Sequence, residues 1–152
     1  MQHLPWTLSV VGAGPAEAEV RTLFASLPEG RIEWLGEKSP PEIARILSTG
    51  ALYAWPGFGE AYGLAYLEAQ GAGLPVAAQA IAGVPEVVMH EKTGLLTPPN
   101  DVAAYARSLE RLLGDHGLRQ TLADNARKFV LAERSITRAA ADLNHILGEH
   151  IG

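Results

Sequence analysis

Two glutamates in one segment are the residues whose types and spacing could do chemistry. Glu60 lies in a glycine-rich loop, and Glu68 follows eight positions later inside a predicted helix. Eight residues of helix span ~12 Å, too far for both carboxylates to hold one water molecule or one metal ion. The pair is better suited to accept hydrogen bonds from hydroxyl groups at two ends of one elongated ligand.

The backbone between the two glutamates predicts where the middle of such a ligand would bind. Gly63 and Leu64 are expected at the start of the helix, where backbone N–H groups are free and favour phosphate. This suggests a diphosphate at the helix end, with sugar hydroxyls bound by Glu60 on one side and Glu68 on the other. Spacing alone supports equally a solvated loop residue at Glu60 and, at Glu68, a helix acid favoured by the macrodipole.

A second glycine motif, Gly12-Ala13-Gly14, follows a strand-like run near the amino terminus. It is similar to a dinucleotide-binding turn, but Glu17 stands where the third glycine of that motif should be. A tight turn from strand to helix is therefore the favoured interpretation of this segment.

Composition indicates a globular protein and argues against several other classes of protein. The 152 residues are 47% hydrophobic and 19% charged, which predicts one globular domain over residues 1–152. A formal charge of -5 gives no general attraction to nucleic acid, and the lack of cysteine excludes disulfides and thiolate ligands. No stretch approaches the ~20 apolar residues of a membrane span. We expect a cytoplasmic protein.

Alternation of apolar strands and amphipathic helices predicts an α/β protein with a Rossmann-like, doubly wound parallel sheet of about five strands and a helical carboxyl-terminal region. In such sheets, ligands bind at the carboxyl ends of the strands. The loops expected on that rim contain further candidate binding residues: Gly12, Gly14, Gly36, Glu37 and Lys38.

Several segments from about Leu8 to Leu113 together resemble the carboxyl-terminal domain of retaining GT-B glycosyltransferases, known as group 1 or family 4. The resemblance is carried by 60–64, 67–69, 73–77, 83–88 and 93–101. Its centre is a pair of glutamates separated by seven residues. This order of segments is more specific than any one motif.

The resemblance implies a role for each residue of the central segment. Glu60 would contact the donor sugar as the catalytic residue, Glu68 would bind the ribose hydroxyls, and Gly63 with Leu64 would meet the diphosphate. The remaining donor-binding candidates are the loop residues Gly59, Ala61 and Tyr62. The resemblance also implies transfer of a hexose with retention to a glycan, lipid or small-molecule acceptor. It implies no metal or other cofactor, and a UDP-sugar as the commonest donor.

The sequence departs from the family pattern in three ways. Gly57 stands where members commonly have serine. The basic residues that neutralise the diphosphate, which lie in a first strand-helix unit, have no counterpart. The amino-terminal acceptor domain is also unmatched. The unmatched strand would lie between the counterparts of 7–11 and 51–55, so we expect those two strands to pair directly, in the order 2-1-3-4-5.

These departures set the expected partners. The helix within 132–152 has an apolar stripe that we expect to pack on the missing domain or to drive self-association. The full-length enzyme could be membrane-peripheral, and the isolated chain should be inactive. Two alternatives stay open: a stand-alone, non-catalytic nucleotide-binding or interaction module of the same fold, and a fragment similar to sugar-nucleotide epimerases.

Overall fold

The computed structural model describes residues 4–151, with side chains described for 4–148. The chain divides into two compact units, the first ending at Ile46 and the second beginning at Leu47. Whether the whole span behaves as a single domain stays a prediction.

The first unit contains two parallel strands and their helices. The elements are β1 (Leu8–Val11), α1 (Glu17–Phe24), β2 (Ile32–Gly36) and α2 (Pro40–Thr49), of which α2 continues past the unit boundary. Val10 pairs with Trp34 in the ladder, and the Phe24 ring packs 6.1 Å from Trp34 between centroids. None of residues 4–50 is fully buried. The two-stranded sheet of this unit therefore has thin packing.

Ser39 and Glu42 cap the start of α2. The backbone N–H of Ser39 donates to the Glu42 carboxylate at 2.9 Å, and the Glu42 N–H donates to the Ser39 carbonyl at the same distance. The hydrogen bonds from Ser39 lower the pKa of Glu42. The carboxylate is thus held at a helix amino terminus, where its negative charge is favoured.

The second unit is a three-stranded parallel sheet with helices around it. Its elements are β3 (Tyr53–Ala54), α3 (Leu64–Gly71), β4 (Val76–Gln79), α4 (Val84–Val87), β5 (Gly94–Thr97), α5 (Val102–Gly114), α6 (His116–Glu133) and α7 (Ile136–Ile151). The strand order is β3-β4-β5. All four residues of β4 are buried, as expected for a central parallel strand covered on both faces.

Two apolar clusters form the core of the second unit, because alternate residues of β4 point to opposite faces. Val76 and Ala78 join the buried Tyr66 and residues of α4 in one cluster. Ala77 joins Leu95, Leu112 and Leu122 in the other. Asp101 and Asp115 cap α5 and α6 by accepting backbone N–H bonds of 2.7 and 2.9 Å. The best-packed part of the described chain is therefore around β4.

Five parallel strands alternating with helices confirm the predicted α/β class. The order within each sheet also agrees with the corresponding part of the predicted order. The described strands form two sheets, one in each unit, so direct pairing of β1 with β3 stays a prediction.

The carboxyl-terminal helices expose the predicted apolar stripe. On α7, Ile136 is 90% exposed, Leu143 56% and Leu147 44%. No helix in the described range is long and apolar enough to cross a bilayer. What covers the stripe, whether another domain or a second copy, stays a prediction.

Two leucines of α6 test where stability resides. Leu122 is 1% exposed and Leu131 is 62% exposed. We expect Leu122→Ala to lower the free energy of unfolding by about 2–5 kcal/mol because it leaves a cavity in the core. The matched Leu131→Ala should change it by less than about 0.5 kcal/mol. Urea unfolding followed by circular dichroism measures both, and equal losses would contradict this account of the core.

Candidate functional site

A glycine-rich turn connects β3 to α3 at the carboxyl end of the strand. Three of its glycines adopt left-handed backbone conformations: Gly57 with φ of 89°, Gly59 with φ of 75° and Gly63 with φ of 95°. Side-chain-bearing residues adopt this region only at a cost. The turn places Glu60 directly ahead of α3, so the predicted segment does bring a carboxylate to the start of a helix.

The buried side chain of Tyr66 packs against this turn and restricts its conformation. Its ring is fully buried, and its hydroxyl donates to the Trp55 carbonyl at 3.1 Å. A Cβ added at Gly57 would lie 2.7 Å from the Tyr66 hydroxyl oxygen, and one at Gly63 would lie 2.5 Å from the Tyr66 Cδ2. A side chain at position 57 or 63 would therefore collide with Tyr66, which favours glycine at both positions.

Glu60 binds the start of α3 directly. One of its carboxylate oxygens, Oε1, accepts the Gly63 N–H at 2.9 Å, and the side chain is half-buried. Gly63 is the amino-terminal cap of the helix. The expectation of a free Gly63 N–H is therefore corrected, because the neighbouring carboxylate already accepts it. The Leu64 and Ala65 N–H groups lie in the first turn, where they lack intrahelical partners.

Glu68 lies one helical turn after Leu64, and both side chains are exposed on α3. No burial penalty therefore acts on this carboxylate, in contrast to the cost expected for a buried one. Burial raises the pKa of the Tyr53 hydroxyl, and the negative charges of Glu60 and then Glu68 raise it further. Both carboxylates thus act electrostatically on the hydroxyl of Tyr53, the first residue of β3.

A second loop closes against the turn. Gly83 precedes α4, and a Cβ added there would lie 2.4 Å from the Ala61 carbonyl oxygen. Gln70 of α3 donates through Nε2 to the Val87 carbonyl at 2.8 Å, which joins α3 to α4. The loop from β4 to α4 therefore supports the backbone that carries Glu60, as expected for a loop on the same rim.

Exposed apolar side chains surround the turn, and sequence reasoning singled out only some of them. Tyr62 is 46% exposed and Leu64 66%; Trp55, at 44%, and Phe58, at 61%, were missed as candidates. Flat apolar groups beside convergent polar groups are typical of ligand sites. Aromatic residues flanking the glycines were the signal that could have identified Trp55 and Phe58.

The segment that carries the glutamates is free of side-chain cations. No lysine or arginine occurs between Arg45 and Lys92. Within the described residues, no cluster of three or more His, Cys, Asp or Glu side chains could hold a metal ion. Positive potential for an anion on this segment comes from backbone N–H groups at the start of α3.

The rim residues predicted from the sequence of the first unit lie at the carboxyl ends of β1 and β2. Gly36 is the last residue of β2, and the Gly12 N–H donates to its carbonyl at 2.8 Å. Gly14 lies in the turn between β1 and α1, while Glu37 and Lys38 directly follow β2. Their participation in a ligand site stays a prediction.

Comparison with known proteins assigns the family. The sequence model described as "Glycosyl transferases group 1" matches residues 1–115, so the chain belongs to this family. It is 35% identical over 120 residues to the D-inositol 3-phosphate glycosyltransferase of Salinispora arenicola, covering 79% of this chain and 27% of that protein. The chain thus spans about a quarter of the length of this curated relative.

Solved structures agree on the fold. The crystal structure of Anabaena Alr3699/HepE in complex with UDP-glucose superposes with a TM-score of 0.81 at 24% identity, covering 97% of this chain and 43% of that one. The carboxyl-terminal domain of a group 1 glycosyltransferase (LpcC) from Francisella tularensis gives a TM-score of 0.71 at 25% identity, with coverage of 86% and 71%. The chain therefore has the fold of the carboxyl-terminal domain of GT-B glycosyltransferases.

Alanine substitutions at two glycines test the packing of the turn. Gly59→Ala and Gly63→Ala should each lose about 1–2 kcal/mol of stability from left-handed backbone strain. Gly63→Ala should lose a further ~1–3 kcal/mol, because its Cβ meets the locked Tyr66 ring whereas that of Gly59 meets nothing within 4 Å. Equal urea midpoints for the two variants would show that Tyr66 does not restrict the turn.

Proposed function

We propose that this chain is the nucleotide-sugar-binding half of a retaining, metal-independent glycosyltransferase. The observation that carries the proposal is the turn into α3, where Glu60, the first N–H groups of the helix and the exposed Glu68 follow one another. In a member of the group 1 family, this order suits a donor with a sugar at one end, a diphosphate in the middle and a ribose at the other.

Each part of the donor has a matching group on the chain. The Leu64 and Ala65 N–H groups at the start of α3 suit phosphate oxygens. Glu68, one turn along the helix, suits the two hydroxyls of a ribose, and Glu60 suits hydroxyls of the donor sugar. Exposed Tyr62 provides an apolar face beside them. UDP-sugars are the donor class favoured by the fold's likeness to the UDP-glucose complex of HepE.

The proposed reaction transfers a hexosyl group to a hydroxyl of a glycan, lipid or small molecule. The bond between the anomeric carbon and the phosphate oxygen breaks, and the acceptor oxygen forms the new bond on the same face. The proton of the acceptor hydroxyl passes to the leaving phosphate. Such a transfer needs an acceptor held against the donor with water excluded, which we assign to the domain that this chain does not match. We place the enzyme in the cytoplasm.

Substitution of Glu68 tests the ribose assignment. We expect Glu68→Gln to weaken binding of UDP and of UDP-glucose equally, by about 1.5–3 kcal/mol, since both carry the same ribose and lose the same charge-assisted bonds. Isothermal titration calorimetry measures the change. Glu133→Gln, at an exposed position of α6, is the matched control and should leave both affinities unchanged. Loss of affinity for only one ligand would contradict the assignment.

Metal independence and the lack of turnover are tested together. UDP-glucose affinity should be the same with EDTA and with added magnesium chloride, because the N–H groups of α3 rather than a cation receive the diphosphate. The isolated chain should release no UDP from UDP-glucose in the presence of sugar acceptors. Binding that requires magnesium would refute the metal-independent proposal, and turnover by a monomeric sample would refute the need for a second domain.

A further inference from the structure

The Glu60 carboxylate binds one backbone N–H at the start of α3, next to the Leu64 and Ala65 N–H groups that the proposed function assigns to phosphate. Its Oε1 accepts the Gly63 N–H at 2.9 Å, a normal N–H···O distance, and the acceptor is charged. Gly63 caps α3, so the carboxylate lies at the positive end of the helix. The chain thereby supplies its own anion to the same end of the helix that the proposed function assigns to a diphosphate.

A phosphate that approaches this helix end meets Glu60 as a competitor in two ways. The Gly63 N–H cannot donate fully to both acceptors. The two negative charges also repel each other, and no lysine or arginine lies between Arg45 and Lys92 to offset the repulsion locally. Half-burial of Glu60 weakens screening by solvent, which strengthens this effect.

We propose that Glu60 is an internal competitor for phosphate that makes the site prefer a sugar-conjugated nucleotide to the bare nucleoside diphosphate. This inference rests on the proposed function. A ligand that displaces the carboxylate from Gly63 costs it this backbone bond, which only a ligand with hydroxyl donors replaces. A nucleotide sugar brings them, whereas the diphosphate product does not. The same carboxylate would therefore favour binding of the donor and release of the product.

The test measures UDP and UDP-glucose binding to the full chain and to Glu60→Gln by calorimetry. Glutamine keeps the shape of the side chain and a carbonyl acceptor for Gly63, but it removes the charge. We expect the affinity for UDP to rise by about three- to tenfold because one repulsion is lost. The affinity for UDP-glucose should stay constant or fall, so that the ratio of UDP-glucose affinity to UDP affinity decreases. Glu133→Gln is again the control. Unchanged or weaker UDP binding by Glu60→Gln would overturn the proposal.

A second measurement follows the contact itself, without ligand. In the chain labelled with ¹⁵N-glycine, the Gly63 amide proton should resonate further downfield in the native sequence than in Glu60→Gln, whereas the Gly59 amide should stay in place. UDP should then shift the Gly63 resonance of the native chain. Identical Gly63 resonances in the two proteins would show that the competing contact is missing. A normal Gly63 difference with no binding of either nucleotide to either protein would instead refute the proposed function, and the competition with it.

Discussion

Close packing of the turn before α3 on the Tyr66 ring is the constraint on which the site depends. The ring leaves no room for a side chain at Gly57 or Gly63, while its hydroxyl holds the Trp55 carbonyl at the end of β3. Because both ends of the turn are fixed on one buried residue, the loop between them can be rich in glycine without losing its shape. A rigid core residue thus provides the pre-organisation that a binding loop needs.

Electrostatics at the start of α3 follow from what this fixed turn presents. Backbone N–H groups provide the positive potential, and the only charges near them on the segment 46–91 are carboxylates. An anion at this helix end therefore approaches a carboxylate bound to Gly63 rather than side-chain cations.

Local sequence signals predicted the elements well and the contacts between them less well. Helical and strand periodicity predicted the alternation of strands and helices, since this signal depends only on neighbours in the chain. The third strand was predicted over 51–55, whereas β3 spans only Tyr53–Ala54. The Glu60–Gly63 bond was also missed. It depends on the path of a turn whose glycines have left-handed φ angles, and residue spacing does not specify that path.

Buried side chains are distributed unevenly along the described chain, and the site lies next to the most buried part. Residues 4–50 include no fully buried side chain and α7 exposes its apolar stripe, whereas β4 is buried along its whole length. Tyr66 lies in the same cluster as Val76 of β4 and Val87 of α4. The geometry at Glu60 and Gly63 is thus determined within the second unit, by the residues that are hardest to displace. Exposed surfaces elsewhere can adapt to other partners while the turn before α3 keeps its shape, because its contacts run through the core around β4.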